Sequence, residues 1–314
     1  MKKIVVAALG GNALLRGHQS GTIKEQEQNA YDTCKHLLKF LWEDKGLVIT
    51  HGNGPQVGNI MLRNEAGYDT YKIPKMPLEI CVADSQGGIG YMIARQMRNL
   101  LSQNHINKKV ITIVTEVLVD KNDPAFKNPS KPVGQFLLKE EADLQAKANG
   151  WVFREDPRKR GWRRVVASPR PVEILNWDII QEHAAAGHVV IAVGGGGIPV
   201  TRDEYGKYSG IDAVIDKDLA SSLLAATIGA SEFYILTDVP KVYINFQKED
   251  ETALDVVAVS EAELYLQRGE FAAGSMGPKV DAALQFVKHS KGRAVITESN
   301  ELNNPVMGTK IVHG

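Results

Sequence analysis

Three lysines of this chain stand in settings suited to holding an anion: Lys131 in KPVG, Lys217 in VIDKDLA, and Lys279 at the end of GSMGPK. Three glycine-rich loops accompany them, each directly after a short β-branched run: ALGGNAL (Ala8 to Leu14), HGNGPQVG (His51 to Gly58) and VGGGGIPV (Val193 to Val200). A strand that ends in glycines lets the backbone approach a ligand closely. Where a helix follows, its unpaired N–H groups and positive dipole end point at the same place. Amides and ammonium groups converging on one sheet edge would bind and orient phosphate. Asp216 and Asp218 flank Lys217 at the start of a helix, where capping accounts for them as readily as a site does, and the two roles are compatible. In GSMGPK, Pro278 reads as the first helical residue, which sets Lys279 beside free N–H groups.

Other chemistries fit less well. The single Gly-Lys pair, Gly206 and Lys207, is followed by Tyr208 and lacks a glycine-rich turn before it, so no P-loop is present. ALGGNAL lacks the spacing of a dinucleotide fingerprint, and HGNGPQVG carries Pro55 and an additional residue before its last glycine, which disfavours hydride transfer. The eight histidines show no metal-ligand spacing, so a protein-held metal is not expected. Ser85 in ADSQGG is outside any nucleophile elbow. His51 and Ser85 each read equally as ligand contacts or as satisfied structural residues.

The elements that must position these groups alternate between strand and helix. Val5 to Leu9, Leu47 to Thr50, Val110 to Thr115, Val189 to Val193, Phe233 to Leu236 and Ala294 to Thr297 are short apolar runs expected of strands buried on both faces. Ile89, Ile93, Met97 and Leu100 recur on one helical face, as do Val280, Ala283, Leu284 and Val287. The pattern predicts an α/β fold built on an open, mostly parallel sheet with helices on both faces, its ligands beyond the carboxyl ends of the strands. From Asp120 to Arg170 the alternation breaks: five prolines precede Arg170, the basic run RKRGWRR spans Arg158 to Arg164, and only Leu137 to Ala148 reads as helix. That segment is expected to leave the main sheet, as a lid or as a solvated surface excursion.

The 314 residues suffice for one large α/β domain or two smaller ones, and the 37 basic and 37 acidic side chains cancel. Nothing in the overall charge argues for a nucleic-acid or membrane-surface partner. Cys34 and Cys81 lie far apart without metal or redox spacing, which suits reduced packing residues in an intracellular protein. The opening MKKIVVAAL is interrupted by Gly10, Gly11 and Asn12 before it could serve as a signal peptide, and no apolar stretch reaches membrane-spanning length. A cytoplasmic protein is expected.

Nine motifs in order carry a closer resemblance. ALGGNAL, HGNGPQVGN, SQGGIGYMI, NDPAFKNPSKPVGQF, RGWRRVV, GGGGIPV, DAVIDKDLA, LTDV and EFAAGSMGPK span nearly the whole chain and resemble the carbamate kinases, a branch of the amino acid kinase family. The resemblance implies a single amino acid kinase domain over residues 1–314, with a small protruding, lid-like subdomain at about 120–170, and a homodimer. It implies Mg²⁺-dependent, reversible phosphoryl transfer in which carbamoyl phosphate and ADP give ATP and carbamate, commonly at the end of arginine or agmatine breakdown.

Site roles follow from the same resemblance. Gly10, Gly11, Asn12, Gly52, Asn53 and Gly54 would hold the carbamate and the transferred phosphoryl, with Gly195 and Gly196 completing the crevice. Lys131, Lys217 and Lys279 would place positive charge around the phosphates, with Asp218 orienting the lysines and Asp216 a neighbour. Thr237, Asp238, Val239, Gly274, Ser275 and Met276 would line the nucleotide pocket, and Mg²⁺ would be held mainly through nucleotide phosphates. Arg160, Arg163 and Arg164 read either as a lid reaching the phosphates or as a clamp within the subdomain. Glu116 departs from the glutamine usual in the resemblance, and the stretch before RGWRR is longer and more basic. A family member with a different small acid acceptor and a non-catalytic nucleotide sensor are the alternatives.

Overall fold

The computed structural model describes residues 2–16, 19–156, 159–272 and 274–314. Its first part runs β1 (Ile4–Leu9), α1 (Ile23–Trp42), β2 (Gly46–His51), α2 (Gly54–Tyr71), α3 (Leu78–Gln103), β3 (Val110–Thr112) and β4 (Glu116–Val119). There follow β5 (Lys131–Leu137), α4 (Lys139–Asn149), β6 (Val152–Glu155), β7 (Trp162–Val166) and β8 (Pro171–Ile174). The chain continues with α5 (Trp177–Ala185), β9 (Val189–Ile191), β10 (Ile198–Arg202), β11 (Tyr208–Gly210), α6 (Lys217–Thr227) and β12 (Glu232–Thr237). The last part holds β13 (Val242–Ile244), β14 (Thr252–Leu254), β15 (Val256–Ala258), α7 (Val259–Gln267), α8 (Met276–His289), β16 (Arg293–Glu298) and β17 (Thr309–Val312).

Eight strands form the central sheet in the order β15-β17-β16-β12-β1-β2-β9-β3, parallel throughout except where β16 meets β17. Period-two alternation sorts each strand's side chains between two cores. Val6 and Ala8 of β1 face α6 and α8, among them Leu224, Ala283 and Val287, whereas Val5, Ala7 and Leu9 face α1 and α3, against Leu37, Ile93 and Met97. Both helical stripes expected from the sequence are buried against this sheet. Because the strands are parallel, their carboxyl ends gather the glycine loops on one edge.

Two expected strands stop early. The first ends at Thr112 rather than Thr115, and the second at Ile191 rather than Val193. Just beyond these ends Ile113 N still donates to Ile191 O and Ala192 N to Ile49 O, after which Thr115 and Val193 take the side-chain hydrogen bonds described below.

The segment expected to carry only a helix is a three-stranded antiparallel sheet, β5-β7-β6, with α4 beside it. Its strands lack a continuous apolar run: Pro132 sits at an edge-type position in β5, and β7 begins Trp-Arg-Arg, so the burial period is weak. The segment returns to the body through β8, which pairs with β4 in a second sheet ordered β11-β10-β4-β8. Among the described residues, no helix is long and apolar enough to cross a membrane.

Candidate active site

Helix α6 begins where the chain needs an anchored charge pair. Asp216 caps it, accepting from the amides of Asp218 at 2.9 Å and Leu219 at 3.4 Å, so capping is a real part of its role. Its other oxygen accepts from Lys131 Nζ at 2.9 Å, which ties β5 to the helix. Asp218, in the first turn, is buried and accepts from both Lys217 and Lys279, the latter at 2.9 Å. Three lysines from β5, α6 and α8 thus meet two aspartates at the start of α6.

The electrostatics follow from burial and pairing. Burial alone would raise the Asp218 carboxyl, but the Lys217 and Lys279 ammonium groups outweigh it and bring the value down to about 2. Asp216 also lies below its ordinary value, where burial is outweighed mainly by Lys131. Burial pushes Lys217 below the usual lysine value, and Asp218 opposes that shift. Lys217 is supported from beneath: Ser221 Oγ donates to its carbonyl at 2.6 Å and lies 2.6 Å from Thr50 Oγ1.

The glycine loops frame this network. The amide of Gly10 donates to Leu236 O at 2.9 Å, bonding the first loop to the end of β12. A Cβ at Gly52 would stand 3.3 Å from Lys217 Cδ, so the bare backbone leaves the lysine its path. Asn53 precedes α2, whose first residue is Gly54, and Pro55 occupies the first turn without sacrificing a hydrogen bond. Gly195 has a left-handed backbone with φ of 66°, and a Cβ there would fall 2.2 Å from Asn53 Nδ2. Only glycine can take both that angle and that contact. Gly196 lies against the carbonyl of Ile215, just before Asp216. The backbone of Asn12 belongs to a short turn over Gly11–Ala13, and its side chain lies outside the described residues.

Two cavities open beside the network. One, of about 640 Å³, is lined by Gly10, Gly11, Arg16, His36, Glu298 and Lys279 among others. The other, of about 520 Å³, is more apolar, with Val239, Tyr243, Phe246, Phe271 and Met276 in its wall. Thr237, Asp238 and Lys279 line both, so Lys279, paired to Asp218, stands at their junction. Ser275 also lines the second cavity, whereas Gly274, expected there, is exposed just before the helix and outside that wall. The helix itself starts at Met276, two residues before the expected Pro278. Proline is tolerated at this third position because first-turn amides have no intrahelical acceptor.

Several residues resolve the open readings. Ser85 is buried and accepts from Asn53 Nδ2 at 2.8 Å. His51 is buried, and its Nδ1 donates to Gly52 O at 2.9 Å; burial, with help from Lys217, pushes the imidazole down to about 4. Both support the loops from behind. Arg160 pairs with Asp156 and lies over Phe136, Arg163 donates to Gly134 O, and Arg164 pairs with Asp212 over Trp151. These arginines clamp the β5–β7 region internally and to the loop before α6; Arg158 lies outside the described residues. Sequence reasoning missed Gln86, Thr115 and the aromatic wall of Tyr243, Phe246 and Phe271. The wall had a weak signal, Tyr243 and Phe246 in the stretch after LTDV and Phe271 at the start of EFAAGSMGPK, but no periodicity marked it.

A parallel sheet whose strand-tip glycine loops lie beside a buried lysine–aspartate network, next to an apolar-walled cavity, defines a small-molecule phosphotransferase. Residues 3–298 match the amino acid kinase family, and the chain belongs to that family. It is 48% identical to the carbamate kinase of Pyrococcus horikoshii over 94% of both chains, and 47% identical to that of Lentilactobacillus hilgardii over 95% of this chain and 92% of the relative. The structure is similar to carbamate kinase from Giardia lamblia bound to AMP-PNP, with a TM-score of 0.92 and 44% identity over 100% of this chain and 99% of the other.

Proposed function

We propose that this protein is a carbamate kinase, catalysing reversible transfer of a phosphoryl group from carbamoyl phosphate to ADP. The observation that carries the reading is the junction at Lys279, where a buried Lys217–Asp218–Lys279 network meets both the glycine loops and the apolar-walled cavity. A β-phosphate oxygen of ADP bonds to phosphorus as the bond from phosphorus to the carbamate oxygen breaks, and the electron pair leaves with carbamate. No proton changes hands, so no general base is needed. The protein's work is in-line positioning and charge stabilisation.

In this reading, the adenosine occupies the cavity walled by Val239, Tyr243, Phe246 and Met276, with Thr237, Asp238 and Ser275 at its rim. The nucleotide phosphates extend past Lys279 toward Gly10 and Gly11. Carbamate lies against Gly52, Asn53, Gly54, Gly195 and Gly196, where the amides of Gly52 and Gly196 brace the loops by donating to Leu9 O at 3.1 Å and Val193 O at 3.2 Å. Lys217 and Lys279 balance charge on the transferred group, Asp218 holds both in place, and Lys131, anchored on Asp216, reaches in from β5. That strand and its neighbours, at about 120–170, act as a lid on a single domain.

Mg²⁺ favours one or two carboxylates plus substrate phosphates over an all-protein cage, and Asp238 at the rim of both cavities suits that arrangement. When bound, the ion would neutralise charge on the nucleotide phosphates. We also propose a cytoplasmic homodimer that makes ATP at the end of arginine or agmatine breakdown. The deciding assay couples ATP formation from carbamoyl phosphate and ADP to hexokinase, with and without Mg²⁺. Failure to form ATP under both conditions, with nucleotide still bound, sinks the proposal.

A further inference from the structure

Val193 has a left-handed backbone, with φ of 53° and ψ of 37°. For a β-branched residue this region is sterically unfavourable, and such strain persists only where the surroundings over-determine it. What over-determines it here is a pair of buried side chains that the reaction does not use. Thr115 Oγ1 accepts from the Val193 amide at 3.0 Å. Gln86 Nε2 donates to Gly194 O at 3.0 Å and to Thr115 O at 3.1 Å, while its Oε1 accepts from Thr115 N at 2.8 Å. Gln86 is 2% exposed and Thr115 1%, so every one of these bonds is sheltered from water.

The two residues therefore form a clamp from α3 across the end of β3 to the turn after β9. It fixes the direction of the turn. With Val193 left-handed, the chain passes Gly194 against the His51 ring and brings Gly195 against the Asn53 side chain. Asn53 is held by Ser85, the residue next to Gln86 on the same helix. One short stretch of α3 thus sets the positions of both loops, which pack directly on each other.

We propose that Gln86 and Thr115 are positioning residues that hold Val193 in its strained conformation and thereby register Gly194–Gly196 against Asn53 at the carbamate end of the site. The functional part of this inference rests on the carbamate kinase reading. Its structural part does not.

The test uses Gln86→Met, which keeps length and volume and removes every hydrogen bond, with Thr115→Val as the milder variant should the first not fold. Hydrogen exchange at residues 193–197, measured without substrate, should accelerate about tenfold or more relative to the rest of the sheet, since the side-chain bonds that hold this turn closed are lost. The KM for carbamoyl phosphate should rise by about tenfold or more with the KM for ADP within about twofold, because misplacement at one end of the site penalises one substrate. Adding Val193→Gly removes the strain the clamp resists and should restore most of the exchange protection and of the KM. A merely structural role for Gln86 would shift both KM values together and show no rescue by glycine. Wild-type exchange at 193–197 in the clamp variant, or no recovery on adding Val193→Gly, overturns the proposal. Because exchange is read without turnover, a wild-type protein inactive on carbamoyl phosphate would refute the assigned reaction while leaving the clamp to be decided by exchange alone.

Discussion

The strand-tip network and the β5–β7 region use the same kinds of cation to different ends. Side chains of Lys217 and Lys279 are 12% and 17% exposed and share an aspartate that is 4% exposed. Arg160, by contrast, is 53% exposed and spends its charge on Asp156 and on the face of Phe136. Water and salt screen the second arrangement but hardly reach the first. A buried cation beside a crevice acts on whatever anion enters; an exposed, stacked one organises its own surroundings. Burial sets Lys217 and Lys279 apart from Arg160 but not from Arg164, which is 12% exposed and pairs with Asp212 over Trp151; what distinguishes the lysines is the shared buried Asp218 and the place of Lys279 in the walls of both cavities.

The sharpest way to break that contrast is to remove the buried charges. Lys217→Ala and Lys279→Ala should each lower kcat by about a hundredfold to a thousandfold, the loss seen when one preorganised group facing developing charge is deleted. Circular dichroism and unfolding curves must show both variants folded. A folded Lys217→Ala protein with kcat within a few-fold of wild type would mean that burial here serves structure alone.

Acid should find the same buried region next. His51 is neutral in the fold with its value near 4, whereas in the unfolded chain it takes a proton near its ordinary 6.5. The unfolded state therefore binds more protons between those limits, and stability present above pH 6.5 is lost as pH falls toward 4, on the order of 3 kcal/mol in all. Asp218, ionised down to about 2 against an ordinary 3.8, adds a second loss on the order of 2 kcal/mol as pH falls through that lower window. Urea midpoints at pH 7 and pH 4.5 check the first step. His51→Asn keeps a donor for Gly52 O and should flatten the dependence, and an unchanged slope in that variant would assign the acid loss elsewhere.

Lys131 falls between the two extremes, its side chain 35% exposed and bonded to Asp216. Lys131→Ala should lower kcat/KM for carbamoyl phosphate by about tenfold to a hundredfold, from the ~1.5–3 kcal/mol of a charged hydrogen bond. Its loss should be smaller than that at Lys217. The reverse order would contradict the ranking by burial.

The contrast also explains what could be read from the chain before it was folded. Glycines after β-branched runs, and lysines beside aspartates or glycines, are local patterns; the structure brings Lys131, Lys217 and Lys279 onto Asp216 and Asp218, sets Gly52 beside Lys217 and Gly196 beside Ile215, and leaves Gly274 exposed. The doubly buried strands announced themselves because both of their faces are apolar. The sheet β5-β7-β6 did not, because a strand such as Lys131–Leu137, with one face poorly buried and a proline within it, carries no clear period. Gln86 and Thr115 were illegible for a different reason: their importance lies in partners 29 and 108 positions away in sequence. Nothing local marks a side-chain amide that will bond two loops.

The smallest expected effect tests the other half of the contrast. Arg160 lies at an exposed edge, its guanidinium accepted by both oxygens of Asp156 at 2.9 and 3.0 Å and resting 4.6 Å from the Phe136 ring centre. These contacts are local, within four residues along the chain or across one strand, and solvent reaches most of the side chain. Exposed ion pairs of this kind contribute little, and the stacking gains little more where water competes. Arg160→Gln should therefore leave kcat and both KM values within about twofold of wild type, and the melting temperature should move by only a few degrees. If Arg160 instead reached the transferred phosphate when the lid closes, kcat would fall by about a hundredfold with the fold intact, as at Lys217. Steady-state kinetics across a range of ionic strength sharpen the comparison: a phosphate-facing arginine makes the variant lose its salt dependence of kcat/KM, whereas a local clamp leaves that dependence as it is in wild type.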